Sequence, residues 1–194
     1  AEVKLDGEFD YLVGDGISAY LINKYGRVRE DWPITRELAG FNGILAGELY
    51  YGTGKAFFEE TLTHKFDEEL KYCAFDILRV GENDICNEYL QDRKRILKAY
   101  LDTEHFWASE YVICKDKPAV MEFYTKIIGA GYEGVVVKNL NSRFVNGTCQ
   151  GWLKLKKTTT ADVWAIGYRK GKDSITIGKV SGKPIGAVGN AGKD

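Results

Sequence analysis

The chain has 194 residues, 44% of them hydrophobic and 28% charged, and a formal net charge of −1. That length suits one well-buried domain plus a smaller fragment, and no apolar run approaches the roughly 18 residues that a membrane span needs. The near-neutral total hides an asymmetry: residues 1–137 hold 16 Lys and Arg against 25 Asp and Glu, whereas residues 138–194 hold 11 against 3. This predicts a polyanionic partner for the C-terminal third.

The first element is Glu2-Val3-Lys4-Leu5-Asp6-Gly7. Read as a strand, it places Glu2, Lys4 and Asp6 on one side and Val3 and Leu5 on the other, with Gly7 permitting a turn. Such a lysine is a candidate nucleophile for phosphorus; a charged sheet edge is the plainer alternative. Strand-like runs follow at Tyr11–Val13 and Ser18–Ile22, joined by the hairpin signal Gly14-Asp15-Gly16, and a second hairpin cue stands at Asn23-Lys24-Tyr25-Gly26. Ile44–Tyr51 reads as a strand carrying Glu48, and Tyr72–Leu78 as a buried strand carrying Asp76.

A helix is expected from Asn87 to Leu101, with Leu90, Leu97 and Leu101 inward and Arg93, Lys94, Arg95 and Lys98 toward solvent. A second helix, from about Pro118 to Ile128, buries Val120, Phe123, Tyr124 and Ile127, and Gly129 suits its stop. Strands are expected at Glu133–Lys138 and Gly151–Lys157. After Thr158-Thr159-Thr160 comes a strand at Asp162–Tyr168, then a stretch with five glycines between Gly178 and Gly192. Many short strands with few helices, not in regular alternation, predict an α+β fold with largely antiparallel sheets. Cys73, Cys86, Cys114 and Cys149 lack CxxC spacing, and His64 and His105 stand apart. A zinc site or disulfide framework is therefore not expected, and reduced, buried thiols in an intracellular protein are. With no initiator methionine and Lys4 so near the first residue, the chain reads as a piece of a longer protein.

Further residues complete a site around Lys4. In Trp152-Leu153-Lys154-Leu155-Lys156, alternation puts the two lysines on one face, where an anion between them would relieve their repulsion, and the two leucines in the core. Glu133 opens an otherwise apolar strand and calls for a cation, either Mg²⁺ or a lysine. Glu48, in Ala46-Gly47-Glu48-Leu49, is placed to accept a sugar hydroxyl, and Phe75 sits beside Asp76. Each has a structural alternative: Phe75 as core, Glu48 and Glu133 as surface charges.

Taken in order, Lys4-x-Asp6-Gly7, Gly47-Glu48-Leu49, Phe75-Asp76-Ile77-Leu78, Glu133-Gly134-Val-Val-Val-Lys138 and Trp152-Leu-Lys154-Leu-Lys156 resemble the covalent nucleotidyltransferase family, and within it the ATP-dependent DNA ligases. The resemblance spans most of residues 1–170, including the Arg93 helix and the run Ala161–Tyr168. It implies a two-sheet, ATP-grasp-like adenylation domain over 1–158. The opening strands of an OB domain would follow over 159–194, too short to close a five-stranded barrel.

The resemblance also implies a mechanism. Lys4 would attack the α-phosphate of ATP and hold AMP as a phosphoramidate, with Lys154, Lys156 and Mg²⁺ (or Mn²⁺) favouring the neutral amine and stabilising phosphate charge. Asp6 belongs to the same catalytic motif. Glu48 would hold the ribose, Phe75 and Val136 would flank the adenine, Glu2 would lie near its amino group, and Glu48 and Glu133 would bind metal. AMP would pass to a 5′-phosphate of nicked double-stranded DNA, and a 3′-hydroxyl would displace it. The protein would act as a monomer, away from membranes, in DNA replication, repair and recombination.

The chain departs from the family pattern at Phe9, where an arginine that contacts nucleotide and nick phosphates is usual; at Ala46, often acidic; and at Thr148-Cys149-Gln150, where a basic residue is expected. Lys24 falls where a Ser-Arg pair is common and partly compensates. These departures leave the covalent chemistry in place and bear on sealing efficiency; because the family's OB domain helps drive the first step and only its opening strands are expected here, the resemblance implies weak self-adenylation and poor sealing. An RNA ligase, an RNA-capping guanylyltransferase, an inactive nucleic-acid-binding relative and a plain nucleotide-binding module stay open as alternatives.

Overall fold

Alternation organises the first half of the chain. Strand β2 (Glu8–Asp15) turns Glu8, Asp10, Leu12 and Gly14 to a buried side and leaves Phe9, Tyr11 and Val13 half-buried on the other. β1 (Glu2–Lys4) is shorter than the six-residue segment expected, because the chain turns away after Lys4 and the Asp6 amide donates to the Gly54 carbonyl at 2.9 Å. Gly7 is needed here for space: a Cβ would lie 2.2 Å from the Leu49 carbonyl oxygen. The turn from β2 into β3 (Ala19–Asn23) is closed by Asp15, whose carboxylate accepts from the Ile17 and Ser18 amides at 2.8 Å each. The Asn23 side chain organises the next turn, accepting from the Tyr25 and Arg27 amides at 3.0 Å before β4 (Val28–Arg29). Both hairpins stand where the sequence signals them.

The computed structural model describes residues 1–30, 32–38, 40–55, 69–100, 103, 105–147, 149–158, 162–169 and 174–189. Of the residues used above, His64, Leu101, Thr148, Thr159, Thr160, Ala161 and Gly192 lie outside them. The remaining elements are α1 (Pro33–Arg36), β5 (Asn42–Tyr51), β6 (Leu70–Val80), β7 (Asn83–Asp84), α2 (Leu90–Tyr100), β8 (Phe106–Ala108), α3 (Lys117–Gly129), β9 (Gly134–Lys138) and β10 (Trp152–Lys156). Then come β11 (Trp164–Arg169), β12 (Ser174–Gly178) and β13 (Pro184–Gly189).

The chain divides into a unit over Ala1–Lys157 and another over Thr158–Asp194. In the first, one sheet runs β4-β3-β2-β5-β6-β7, with β8 added parallel to β6, and a second runs β1-β9-β10. All other described pairings are antiparallel, as an α+β chain of this kind requires. The core lies on one face of the larger sheet, where Leu12, Leu21, Leu45, Leu49, Ile77 and Phe106 meet Ile34 and Leu38 of the α1 region and Leu97 of α2. Full burial of each such side chain stabilises the fold by about 1.5–3 kcal/mol. The second unit is the antiparallel meander β11-β12-β13, an OB-like start.

Several expectations are corrected. α2 starts at Leu90, not Asn87, because its first free amides, Leu90 and Gln91, donate to the carbonyls of Ser142 and Leu140. Arg93 and Lys94 are buried rather than solvated: Arg93 meets Asp76 on β6, and Lys94 meets Glu2. Gly129 is the last helical residue of α3, and the left-handed position is Gly131, φ +90°. Leu153 is 63% exposed, not core, because β10 is an edge strand and α3 packs against the central β9. All four thiols are free, but only Cys73 is buried. The Nδ1 of His105 pairs with Glu37.

Candidate active site

Register builds the site. Across β9, Lys4 and Lys156 both lie opposite Gly134, Glu2 and Lys154 both lie opposite Val136, and Trp152 lies opposite Lys138. Paired residues share a face, as do residues two apart along a strand. One face of this small sheet therefore carries Glu2, Lys4, Val136, Lys138, Trp152, Lys154 and Lys156. Between the two lysines of the first row Gly134 has no side chain and no room for one, since a Cβ would lie 2.0 Å from the Leu155 carbonyl oxygen.

The anion that relieves this lysine row is Glu133. Its Oε2 accepts from Lys4 Nζ, and its Oε1 pairs with Lys156 Nζ at 2.7 Å. Burial works to raise the Glu133 carboxyl, but the lysine contacts outweigh it and hold it below its usual value. The hydrogen bond that Lys156 donates to Glu133, chiefly, lifts Lys156 above its usual value. Asp6 is raised by burial and by Glu133, against Lys4 and Lys156, which marks it as part of the same charge cluster.

The larger sheet supplies the opposite wall. Phe9 on β2 and Cys73 on β6 both lie opposite Glu48 on β5, and Phe75 follows two residues after Cys73 on the same face. A cleft of about 1070 Å³ is lined by Glu2, Lys4, Lys24, Glu48, Phe75, Val136 and Lys154, seven of the expected residues, and also by Phe9, Lys138 and Trp152. Asp6, Lys156 and Glu133 do not line it; Glu133 and Lys156 reach it through Lys4. Lys24 is exposed at the rim with its ammonium 5.0 Å from the Tyr25 ring centroid.

Three residues emerge that the sequence reading passed over. Lys138 is buried with its ammonium 4.3 Å from the Phe75 centroid, 4.2 Å from that of Trp152, and 2.9 Å from Glu2. Burial pushes Lys138 down to about 8, opposed by Glu2 and reinforced by Lys94. Lys94 reaches the other Glu2 oxygen at 2.8 Å, and Ser109 Oγ donates to Glu2 at 2.9 Å. Both Glu2 oxygens are thus engaged; burial opposes its ionisation, yet Lys138 and Lys94 hold the carboxyl below its usual value. Position could have flagged Lys138, which continues the alternation Gly134, Val136, Lys138.

Among the described residues no three His, Cys, Asp or Glu converge as a metal cage. Glu133 spends both oxygens on lysines, leaving Glu48 and Asp6 as neighbouring carboxylates. Mg²⁺ is ordinarily held by one or two carboxylates together with substrate phosphates. The donor set suits a cation arriving with a nucleotide, not a resident one.

Glu48 gives the site a measurable pH signature. Burial, opposed by Lys4 and Lys154 and reinforced by Glu133 and Asp6, lifts its carboxyl from 4.5 to about 7. The folded chain keeps this proton in a range where the unfolded chain has lost it. Stability is therefore fully present below 4.5 and falls as pH rises to about 7. The loss is roughly 3 kcal/mol. Glu48→Gln is expected to melt higher than wild type at about pH 8 and to match it at about pH 4. Calorimetry across that range checks this, and a difference independent of pH would overturn it.

The sequence model described as the ATP dependent DNA ligase domain matches residues 44–156. Among curated relatives, the DNA ligase of Methanothrix thermoacetophila is 34% identical over 105 residues, which is 53% of this chain and 19% of that protein. A protein of Kineococcus radiotolerans named "Probable DNA ligase" is 29% identical over 153 residues, 75% of this chain and 30% of that one. The chain thus spans 19–30% of the length of these two relatives. The crystal structure of the ligase domain from M. tuberculosis LigD matches over 100% of this chain and 67% of that one, at 23% identity and a TM-score of 0.69, a likeness of fold. With the family matched over more than half its length, and the fold shared, the chain belongs to the ATP-dependent DNA ligase domain family.

Proposed function

We propose that this chain is the adenylation part of an ATP-dependent DNA ligase, with the adenylation domain over 1–158 and the opening of an OB domain over 159–194. The observation that carries this reading is Lys4 on the wall of a cleft, in an ion pair with Glu133, which also binds Lys156, and facing Glu48 and Phe75. The cleft combines cationic side chains with aromatic rings, which suits a nucleoside triphosphate.

The Lys4 amine, released from Glu133 and deprotonated, attacks the α-phosphorus of ATP. A P–N bond forms as the P–O bond to the β-phosphate breaks, and pyrophosphate leaves. Lys154 and Lys156 balance the charge on the phosphoryl oxygens, which is where most of the catalysis of phosphoryl transfer arises. Asp6 adds a second carboxylate beside Lys4 and Lys156. Glu48 accepts from the ribose hydroxyls, Phe75 and Val136 flank the adenine, Glu2 bounds its edge through Lys138, and Lys24 meets phosphate at the rim. Mg²⁺ or Mn²⁺, held by Glu48 and by the Glu133 oxygen that Lys4 vacates, together with the phosphates, would supply further charge neutralisation. AMP then passes to the 5′-phosphate of nicked double-stranded DNA, and the 3′-hydroxyl displaces it. The protein works as a monomer inside the cell, where ATP and DNA occur together.

Incubation with ATP and Mg²⁺, followed by denaturing electrophoresis, tests the reading. Label in the α-phosphate is expected to stay with the protein, label in the γ-phosphate to leave, and labelled GTP to give nothing. No retained α-label overturns the covalent mechanism. Label from GTP alone, or transfer to RNA ends but not DNA ends, overturns the substrate assignment in favour of a capping or RNA-joining enzyme.

A further inference from the structure

We propose that Phe9 is a nucleoside-contacting, specificity-determining residue of this cleft, so that position 9 adds affinity for the base and sugar and none for phosphate. The inference rests on the functional reading above. Phe9 belongs to the cleft face of β2, opposite to Asp10 and Leu12, which face the buried side. It lines the cleft and is not part of the hydrophobic core. Its ring lies 6.0 Å from Phe75 at an interplanar angle of 31° and meets Tyr11 edge-on at 4.8 Å, while Phe75 meets Trp152 edge-on at 5.8 Å. These contacts make one aromatic wall reaching from β2 through β6 to β10.

Two details fix what that wall receives. First, Phe9 lies opposite Glu48 in strand register, beside the carboxylate placed to take the ribose. Second, the 6.0 Å between Phe9 and Phe75 is too short for a base to slip between two rings, each of which needs about 3.5 Å of contact distance. The two rings therefore act side by side as one platform. A flat, uncharged nucleoside gains from such a platform; a phosphate gains nothing, because Phe9 offers neither charge nor hydrogen-bond donor.

Titration calorimetry of the full chain with adenosine and with AMP, alongside the α-label assay, tests this. Aromatic stacking of one base supports an expected loss of about tenfold in affinity for both ligands in Phe9→Ala, with Phe9→Tyr within about twofold of wild type. Phe9→Arg is expected to lose adenosine affinity similarly while keeping that for AMP. Affinity for adenosine indifferent to position 9, or a loss confined to AMP, overturns the proposal. Should Phe9→Ala not fold, equal adenosine affinity in Phe9→Tyr and Phe9→Arg overturns it equally. Lys4-dependent labelling with indifferent adenosine binding removes this inference alone; absence of labelling removes the functional reading, and this inference with it.

Discussion

Lys4→Arg is expected to lower covalent labelling by α-labelled ATP by at least about a thousandfold, the loss typical of removing a nucleophile. Arginine keeps the positive charge and can still pair with Glu133, so the fold and the bridge to Lys156 survive. It cannot shed a proton at accessible pH, so it offers no lone pair to phosphorus. The substitution thereby separates two roles that Lys4 could play. If the lysine only neutralises phosphate, arginine substitutes for it and labelling at some other residue continues. If it is the nucleophile, ATP affinity stays within about tenfold while labelling disappears. Equilibrium binding and denaturing electrophoresis on one preparation give both numbers, and retained labelling would overturn the role assigned to Lys4.

What could be read from the sequence, and what could not, follows from where each signal lives. Alternation and apolar runs are local, so β1, β2, β5, β6, β9 and β10 were legible, and with β1 and β10 the sidedness of Lys4, Lys154 and Lys156. Partnership is not local. Arg93 and Lys94 read as solvated charges because they stand among four basic residues on one helix, yet Lys94 falls four residues after Leu90 and three before Leu97, within the apolar stripe. Helical spacing alone placed it inward, and only the buried carboxylates of Asp76 and Glu2 explain why charge is tolerated there. Leu153 failed for the converse reason: alternation gives a side of the strand, not whether anything covers that side. Lys154 and Lys156 were foreseen to need an anion between them; that Glu133 instead joins Lys156 to Lys4 depends on register across three strands, which no single segment contains.

The same tertiary pairing carries the other large effect. Asp76→Ala is expected to destabilise the first unit by about 3–5 kcal/mol, the cost of stranding one partner of a buried ion pair. Arg93 and Asp76 are both fully buried, with Nε and Nη2 donating to the two carboxylate oxygens at 2.8 Å each. The Asp76 Oδ1 also accepts from the Ile77 amide at 2.9 Å, which fixes the strand where it passes from core to cleft. Removing the carboxylate leaves a fully buried guanidinium whose remaining hydrogen-bond acceptor among the described residues is the Glu88 carbonyl. For a unit of this size the change lowers Tm by roughly 10 °C. Because Phe75 is the neighbouring residue and faces the cleft, nucleotide affinity should fall along with stability. Arg93→Met in the Asp76→Leu background removes both charges and is expected to recover most of the lost stability, since a buried pair replaced by apolar groups is often neutral. Thermal unfolding of Asp76→Leu, Arg93→Met and the double variant closes the cycle. Additive losses in the double variant would show that the pair contributes no coupling, and that the burial of Arg93 has another cause.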